Sequence, residues 1–242
     1  MQIHSGALVS EIATAAPGTI KVFQRYRLEF CCGGRIPLAE ACAASGLDVD
    51  VVLAELEAVI STDEDRVDWS RQPLEALVAH IHDRYHEPLR DELPRLAAMA
   101  DKVALRHGER LPHLRELRDV FRTFEVELRD HMAKEEAALF PALASLEAAA
   151  DANADLTAWQ WIAQPIDVME TEHESAGEAL RRLRELSNGY VPPADACPTF
   201  RGLFHGLAEL EREMHQHVHL ENHVLFPRAA ALAGRPVTAA AR

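Results

Sequence analysis

The amino-acid sequence predicts an all-α protein, an antiparallel four-helix bundle preceded by a small helical domain. Few segments show the Val, Ile, Thr and aromatic alternation of strands. Long stretches rich in Ala, Leu, Glu and Arg instead carry apolar residues at helical spacing. The breaks between these stretches are short, and short connections between long helices favour antiparallel neighbours.

The first 62 residues read as short helices. SGALVSEIATA comes first, then GTIKVFQRYRL after Pro17, PLAEACAAS after a Cys-Cys-Gly-Gly turn, and DVDVVLAELEAVI. Asp48 suits the start of the last of these and Gly46 the end of the one before it. Residues 63–73 fall within the polar stretch STDEDRVDWSRQP and read as a linker. Residues 74–233 supply four long helices: Leu74 to about His107, Leu114 to about Ala149, Pro165 to about Ser187, and Phe200 to about Ala233. Pro112, the Asn153 region and the stretch from Asn188 to Pro198 supply the breaks. Residues 234–242 read as a frayed tail.

Composition narrows the function. Lys and Arg number 25 against 39 Asp and Glu, a formal charge of -14, which argues against nucleic acid as a partner. No basic start precedes an apolar core of signal-peptide length, and no apolar run is long enough to span a membrane. The expectation is a cytoplasmic chain whose four cysteines, Cys31, Cys32, Cys42 and Cys197, are free thiols.

The chemistry lies in a repeat. HMAKEEAALFP, His131 to Pro141, and HVHLENHVLFP, His217 to Pro227, share the pattern H-x-x-x-E-x-x-x-L-F-P. The other two long helices carry RYHEPLRDEL with His86 and TEHESAGEAL with His173, at matching distances from the two motifs. One helical hairpin has been used twice. Residues four apart share a helix face, so His131 with Glu135, and His217 with Glu221, each project an imidazole and a carboxylate the same way. Leu139 and Leu225 continue that face, which marks it as inward.

Buried imidazoles and carboxylates need a strong compensating partner, and a metal pair provides one. Four imidazole nitrogens and two bridging glutamates supply eight donors. A bridging oxide or hydroxide raises each ion to five, leaving an octahedral ion one open position. By the repeat symmetry His86 and His131 would serve one metal and His173 and His217 the other, with Glu135 and Glu221 spanning both. Such a shell suits iron without excluding zinc or manganese. A ferritin-like site would need two Glu-x-x-His motifs, and only Glu170 to His173 fits one.

Glu172 neighbours a presumed ligand and is a candidate for the supporting shell or a proton relay. Glu136 is read equally as supporting or solvated. His215, His219 and His223 fall on a different face from His217 and Glu221, which reads as a solvated, metal-scavenging stripe. His82 reads as helix decoration.

Taken together, several motifs resemble the di-iron repair-of-iron-centres proteins, whose second domain is hemerythrin-like. They are FCCGG from Phe30, RYH ending at His86, HMAKEE with LFP, TEHESAG, and HVHLEN with LFPRA. The resemblance spans Leu8 to Ala230. It implies metal ligands at His86, His131, Glu135, His173, His217 and Glu221, holding two oxo- or hydroxo-bridged iron ions. It also implies a stress protein that restores iron-sulfur clusters damaged by nitric oxide or peroxide, by supplying iron to damaged iron-sulfur proteins. Nitric oxide or dioxygen would be the small ligand. Nitric oxide reductase activity, or diatomic-gas storage or sensing, are the alternatives that the resemblance leaves open. It marks Cys31 and Cys32 as redox or iron-transfer thiols, against the plainer reading that they are small buried residues at a helix end.

Overall fold

The computed structural model describes residues 3–60, 67–152 and 154–234. Part of the expected linker, residue 153 and nearly all of the expected frayed tail lie outside them. The described residues are all-α: a small helical N-terminal domain followed by a helical bundle, with a single isolated bridge between Leu8 and Pro37. Among the described residues no helix is long and apolar enough to cross a membrane.

The N-terminal helices are α1 (Val9–Ala15), α2 (Ile20–Tyr26), α3 (Leu38–Ala44) and α4 (Val49–Ile60). Asp48 accepts the Asp50 N–H at 2.9 Å, which caps α4, and Gly46 takes the left-handed conformation (φ +67°) that ends α3. Phe23, Phe30, Leu38 and Leu56 are among the residues that fill the core of these helices. Arg25 and Tyr26 reach Glu55 at 2.6 and 2.7 Å and tie α2 to α4.

Each of three long helices is interrupted by a π-helical turn. The first runs α5 (Leu74–Ile81), a π turn (His82–His86) and α6 (Glu87–His107). The second runs α7 (His113–Lys134), a π turn (Glu135–Leu139) and α8 (Phe140–Asp151). The last runs α10 (Pro198–Leu220), a π turn (Glu221–Leu225) and α11 (Phe226–Leu232). Between the second and the last lies α9 (Ala163–Leu186), which is α-helical throughout.

The π turns share one local feature. In each, a proline follows two residues beyond the turn: Pro88, Pro141 and Pro227. Proline has no N–H to give, and its ring crowds the carbonyl four residues back. That carbonyl belongs to Arg84, Ala137 or His223, the central residue of each π turn. The wider turn relieves the crowding, and Glu87, Phe140 and Phe226 donate five residues back to His82, Glu135 and Glu221. Pro94 sits inside α6 without a π turn, so proline permits the wide turn rather than dictating it.

By density of contacts the chain forms two compact units. One comprises Met1–Val78, Leu143–Ala163 and His215–Arg242, the other Ala79–Ala142 and Gln164–Met214. In the first, Glu147 accepts the Leu74 N–H at 2.8 Å, and Arg228 donates to the Trp69 carbonyl at 3.0 Å. In the second, α6 packs along α7, with Leu93, Leu96, Phe121, Phe124, Leu183 and Phe204 buried.

The Cys-Cys-Gly-Gly turn is closed tightly. A Cβ added at Gly34 would lie 2.5 Å from the Phe30 carbonyl oxygen, whereas one at Gly33 would meet only the Glu29 side chain at 3.3 Å. Gly34→Ala should therefore lower the stability of the first unit by about 1–3 kcal/mol, and Gly33→Ala by less. Thermal unfolding of the two full-length variants measures the difference, and equal melting would contradict the turn geometry.

Candidate metal centre

The π turns carry chemistry. Glu135 and Glu221 open two of them, and His86 closes the third. Such turns concentrate at functional sites because the extra residue re-aims the side chains around it. His131 and His217 stand one helical turn before their glutamates, and α9 supplies His173 from its middle. All six side chains lie away from water; His86, Glu135, His217 and Glu221 are 0% exposed, His131 3% and His173 2%.

The second compact unit holds four of the six. Oε2 of Glu135 is 3.4 Å from Nε2 of both His86 and His131, so one carboxylate faces two imidazoles. Nε2 of His131 and Nε2 of His173 are 3.0 Å apart, and their ring centroids 4.7 Å. Ligand atoms of His131, Glu135 and His173 all lie within 4.8 Å of one another. The first unit holds the other two residues, with His217 Nε2 2.9 Å from Glu221 Oε1.

The repeat symmetry pairs His131 with His86, but the structure sets it against His173. The two imidazoles that converge come from α7 and α9, which belong to consecutive long helices. Spacing along one chain could not show this, because it fixes the face each residue occupies and not the neighbour that face meets.

The donor set suits a cation. Two imidazole nitrogens on one ion at bonds of about 2.1 Å, set at right angles, would stand about 3 Å apart. His131 and His173 already have that separation. Without a cation, the His173 Nε2–H can donate to the His131 Nε2 lone pair at this distance; with one, both lone pairs can face the ion.

A supporting layer fixes which nitrogen faces inward. His86 donates its Nδ1–H to Glu136 at 2.9 Å, and His131 donates its Nδ1–H to Glu172 at 2.9 Å. Each ring is thereby held with the Nε2 lone pair toward the site and made more basic. Behind the carboxylates stand cations: Arg90 donates to Glu136, and Lys134 to Glu172 at 2.7 Å. Burial would raise the Glu136 carboxyl, but hydrogen bonds from His86 and Arg90 outweigh it and hold the group below its ordinary value. At Glu172 burial is likewise outweighed, by Lys134 and His131. Glu136, for which a solvated position was an equal expectation, supports His86 as Glu172 supports His131.

A cavity of about 220 Å3 opens beside His131 and His173, with Phe124, Leu128 and Met214 as apolar wall and Lys134 and Glu172 among its lining. It is large enough for a small molecule to approach these two imidazoles. His82, beside Asp83 at 2.8 Å and part-exposed, belongs to the surface.

The cysteine turn lies in the first unit. Cys31 is buried at 3% exposure, and Cys32 is half-buried. Its hydrogen bond with Cys32, then burial, hold the Cys31 thiol well above its ordinary value, so in the metal-free protein it is not a primed thiolate. The stripe expected to be solvated is what secures this turn. His219, 1% exposed, donates Nδ1–H to the Phe30 carbonyl at 3.1 Å, and His223 donates to the Cys31 carbonyl. Burial pushes the His219 imidazole down to about 3 and the His223 imidazole down to about 4. The solvated reading is therefore corrected. It assumed that one helix cannot bury two faces, whereas the N-terminal helices cover the second face.

Comparison with known proteins places this architecture in a class. Residues 77–229 match the hemerythrin HHE cation binding domain, and residues 6–60 match ScdA_N, described as a domain of unknown function (DUF542). The bundle is thus a cation-binding domain of the hemerythrin HHE class. Across nearly the whole chain the similarity is more specific. The chain is 38% identical over 221 residues to the iron-sulfur cluster repair protein YtfE of Pectobacterium atrosepticum, covering 91% of this chain and 95% of that one. It is 39% identical to YtfE of Edwardsiella ictaluri, with the same coverage. It is 35% identical to the iron-sulfur cluster repair protein ScdA of Staphylococcus haemolyticus, over 93% and 98% of the two chains. This chain belongs to the family of iron-sulfur cluster repair proteins.

The outer carboxylates give a direct test. Glu136→Gln and Glu172→Gln should each weaken metal binding about 10-fold or more without loss of helix. Competition against a chelator of known affinity, with circular dichroism alongside, reads both. Unchanged affinity in both variants would refute the orienting role.

Proposed function

We propose that the protein restores damaged iron-sulfur clusters and that its bundle holds two iron ions. Likeness to repair proteins along both the cysteine-bearing segment and the cation-binding segment is the observation that carries this reading. In the proposed centre Glu135 and Glu221 serve both ions. His86, His131, His173 and His217 are the imidazoles proposed to complete the two sets. Mixed imidazole and carboxylate donors suit iron, and the intracellular setting expected of four free thiols fits the cytoplasm. Two adjacent irons would supply redox change and open positions for a small ligand.

The chain's own residues prepare the site. Glu136 and Glu172 keep the Nδ1 protons of His86 and His131, so neither ring can turn its N–H inward. Arg90 and Lys134 hold those carboxylates ionised against burial. The buried helix faces exclude bulk water, and the cavity beside His131 and His173 admits only small molecules. Damaged iron-sulfur proteins are the proposed partners, with iron as the material delivered.

In a reactivation assay on a damaged cluster, the iron-loaded protein should restore activity and the Glu135→Leu, Glu221→Leu double variant should not. The variant should also lose its binuclear metal, because four imidazoles cannot neutralise two cations. Equal recovery by both proteins would overturn the reading.

The cavity favours a second reading, nitric oxide binding or reduction at the same centre. That reading predicts continuous nitrous oxide formation from the reduced protein under excess donor. A single stoichiometric burst would leave repair as the activity.

A further inference from the structure

A second group of potential ligands lies in the first compact unit, at the turn that begins the Cys-Cys-Gly-Gly sequence. Ligand atoms of Glu29, Cys31 and His215 all lie within 4.8 Å of one another, and the Cys31 Sγ is 3.9 Å from Glu29 Oε2. His215 stands two residues before His217 on α10. Side chains two apart leave a helix on nearly opposite sides, so this group is separate from the histidine and carboxylate cluster of the bundle.

We propose that Glu29, Cys31 and His215 form a mononuclear site for a thiophilic divalent cation, zinc or ferrous iron. Cys32, hydrogen-bonded to Cys31, stands ready as a fourth ligand. One or two sulfurs with one imidazole and one carboxylate make a donor set for tetrahedral zinc or ferrous iron, and a poor one for magnesium or calcium. Binding forms the sulfur-metal bond and releases the Cys31 thiol proton to solvent.

The surroundings are built to hold this arrangement. The carbonyls on both sides of the first thiol, those of Phe30 and Cys31, are gripped by His219 and His223. These residues lie one and two helical turns beyond His215 on the same stripe. The Phe30 ring meets His215 edge-on, with centroids 6.0 Å apart, and packs against His219 at 5.5 Å. One helix face therefore both clamps the cysteine turn and presents an imidazole to its thiol. Glu29 is exposed, which gives an ion a route from solvent. The site does not depend on the reading of the bundle centre.

The test uses the full-length chain, reduced and anaerobic, with the bundle loaded with iron and the iron counted before titration with cobalt(II). One equivalent of cobalt should produce sulfur-to-cobalt charge-transfer absorption in the near ultraviolet together with the visible bands of tetrahedral cobalt. Zinc(II) should displace it. A histidine and carboxylate centre cannot give the sulfur band, so the signal reports a thiolate, and its sensitivity to Cys31→Ser but not to Cys42→Ser or Cys197→Ser assigns it to the cysteine turn. His215→Ala and Glu29→Gln should each weaken cobalt binding about tenfold or more, and Cys31→Ser should lower the band by about half or more, with iron content and helicity unchanged. No sulfur band at saturating cobalt would overturn the proposal. So would a band of unchanged affinity in both His215→Ala and Glu29→Gln, which would mean adventitious binding to thiols alone. Iron is counted in the same samples, so failure of the bundle centre registers separately.

Discussion

Buried carboxylate is the constraint around which the bundle is organised. Glu135 and Glu221 are fully removed from water, and a carboxylate in such a place is several kcal/mol unfavourable unless positive charge meets it. The arrangement answers in layers. Imidazoles stand against the glutamates, outer carboxylates hold the imidazoles of His86 and His131, and Arg90 and Lys134 stand behind those carboxylates. The inner layer is a set of acceptors for cations, while the outer layer is already neutral. That asymmetry makes the centre a place for metal rather than an ordinary salt-bridge network.

The same helices must supply these ligands without losing their packing. A π turn costs hydrogen-bond quality, and a proline two residues later makes the regular alternative worse. Prolines at equivalent places in three helices hold the wide turns at Glu135, Glu221 and His86. Packing resumes immediately, with Leu139, Phe140, Leu225 and Phe226 all buried. Local chemistry and the site are thus linked through the LFP segments, which the repeat carries together with its ligands.

One helix serves two environments. Along α10 and the turn that follows it, His217 and Glu221 lie buried on one face and pair with each other, while His215, His219 and His223 meet the cysteine turn. A histidine stripe on the outer side of a helix ordinarily indicates solvent. Here burial holds the His219 and His223 imidazoles neutral, and both donate to backbone carbonyls. The cysteine turn is therefore held by α10 and the π turn after it, far from it in sequence.

The all-α fold, the four long helices and the buried positions of the candidate histidines and glutamates were legible in the sequence, because period and spacing are local properties. Apolar residues at helical spacing mark a buried face, and an eleven-residue pattern used twice marks the candidate ligands on it. The role of Glu172 was also within reach, as it adjoins His173. Which imidazole meets which was not legible, since the approach of His131 to His173 depends on the helix that lies alongside. The role of Glu136 hung on the same contact, its carboxylate being set by where His86 arrives. The stripe at His215, His219 and His223 was misread for the same reason: a sequence shows that a helix has a second polar face, and only the tertiary structure decides whether water or another part of the chain covers it.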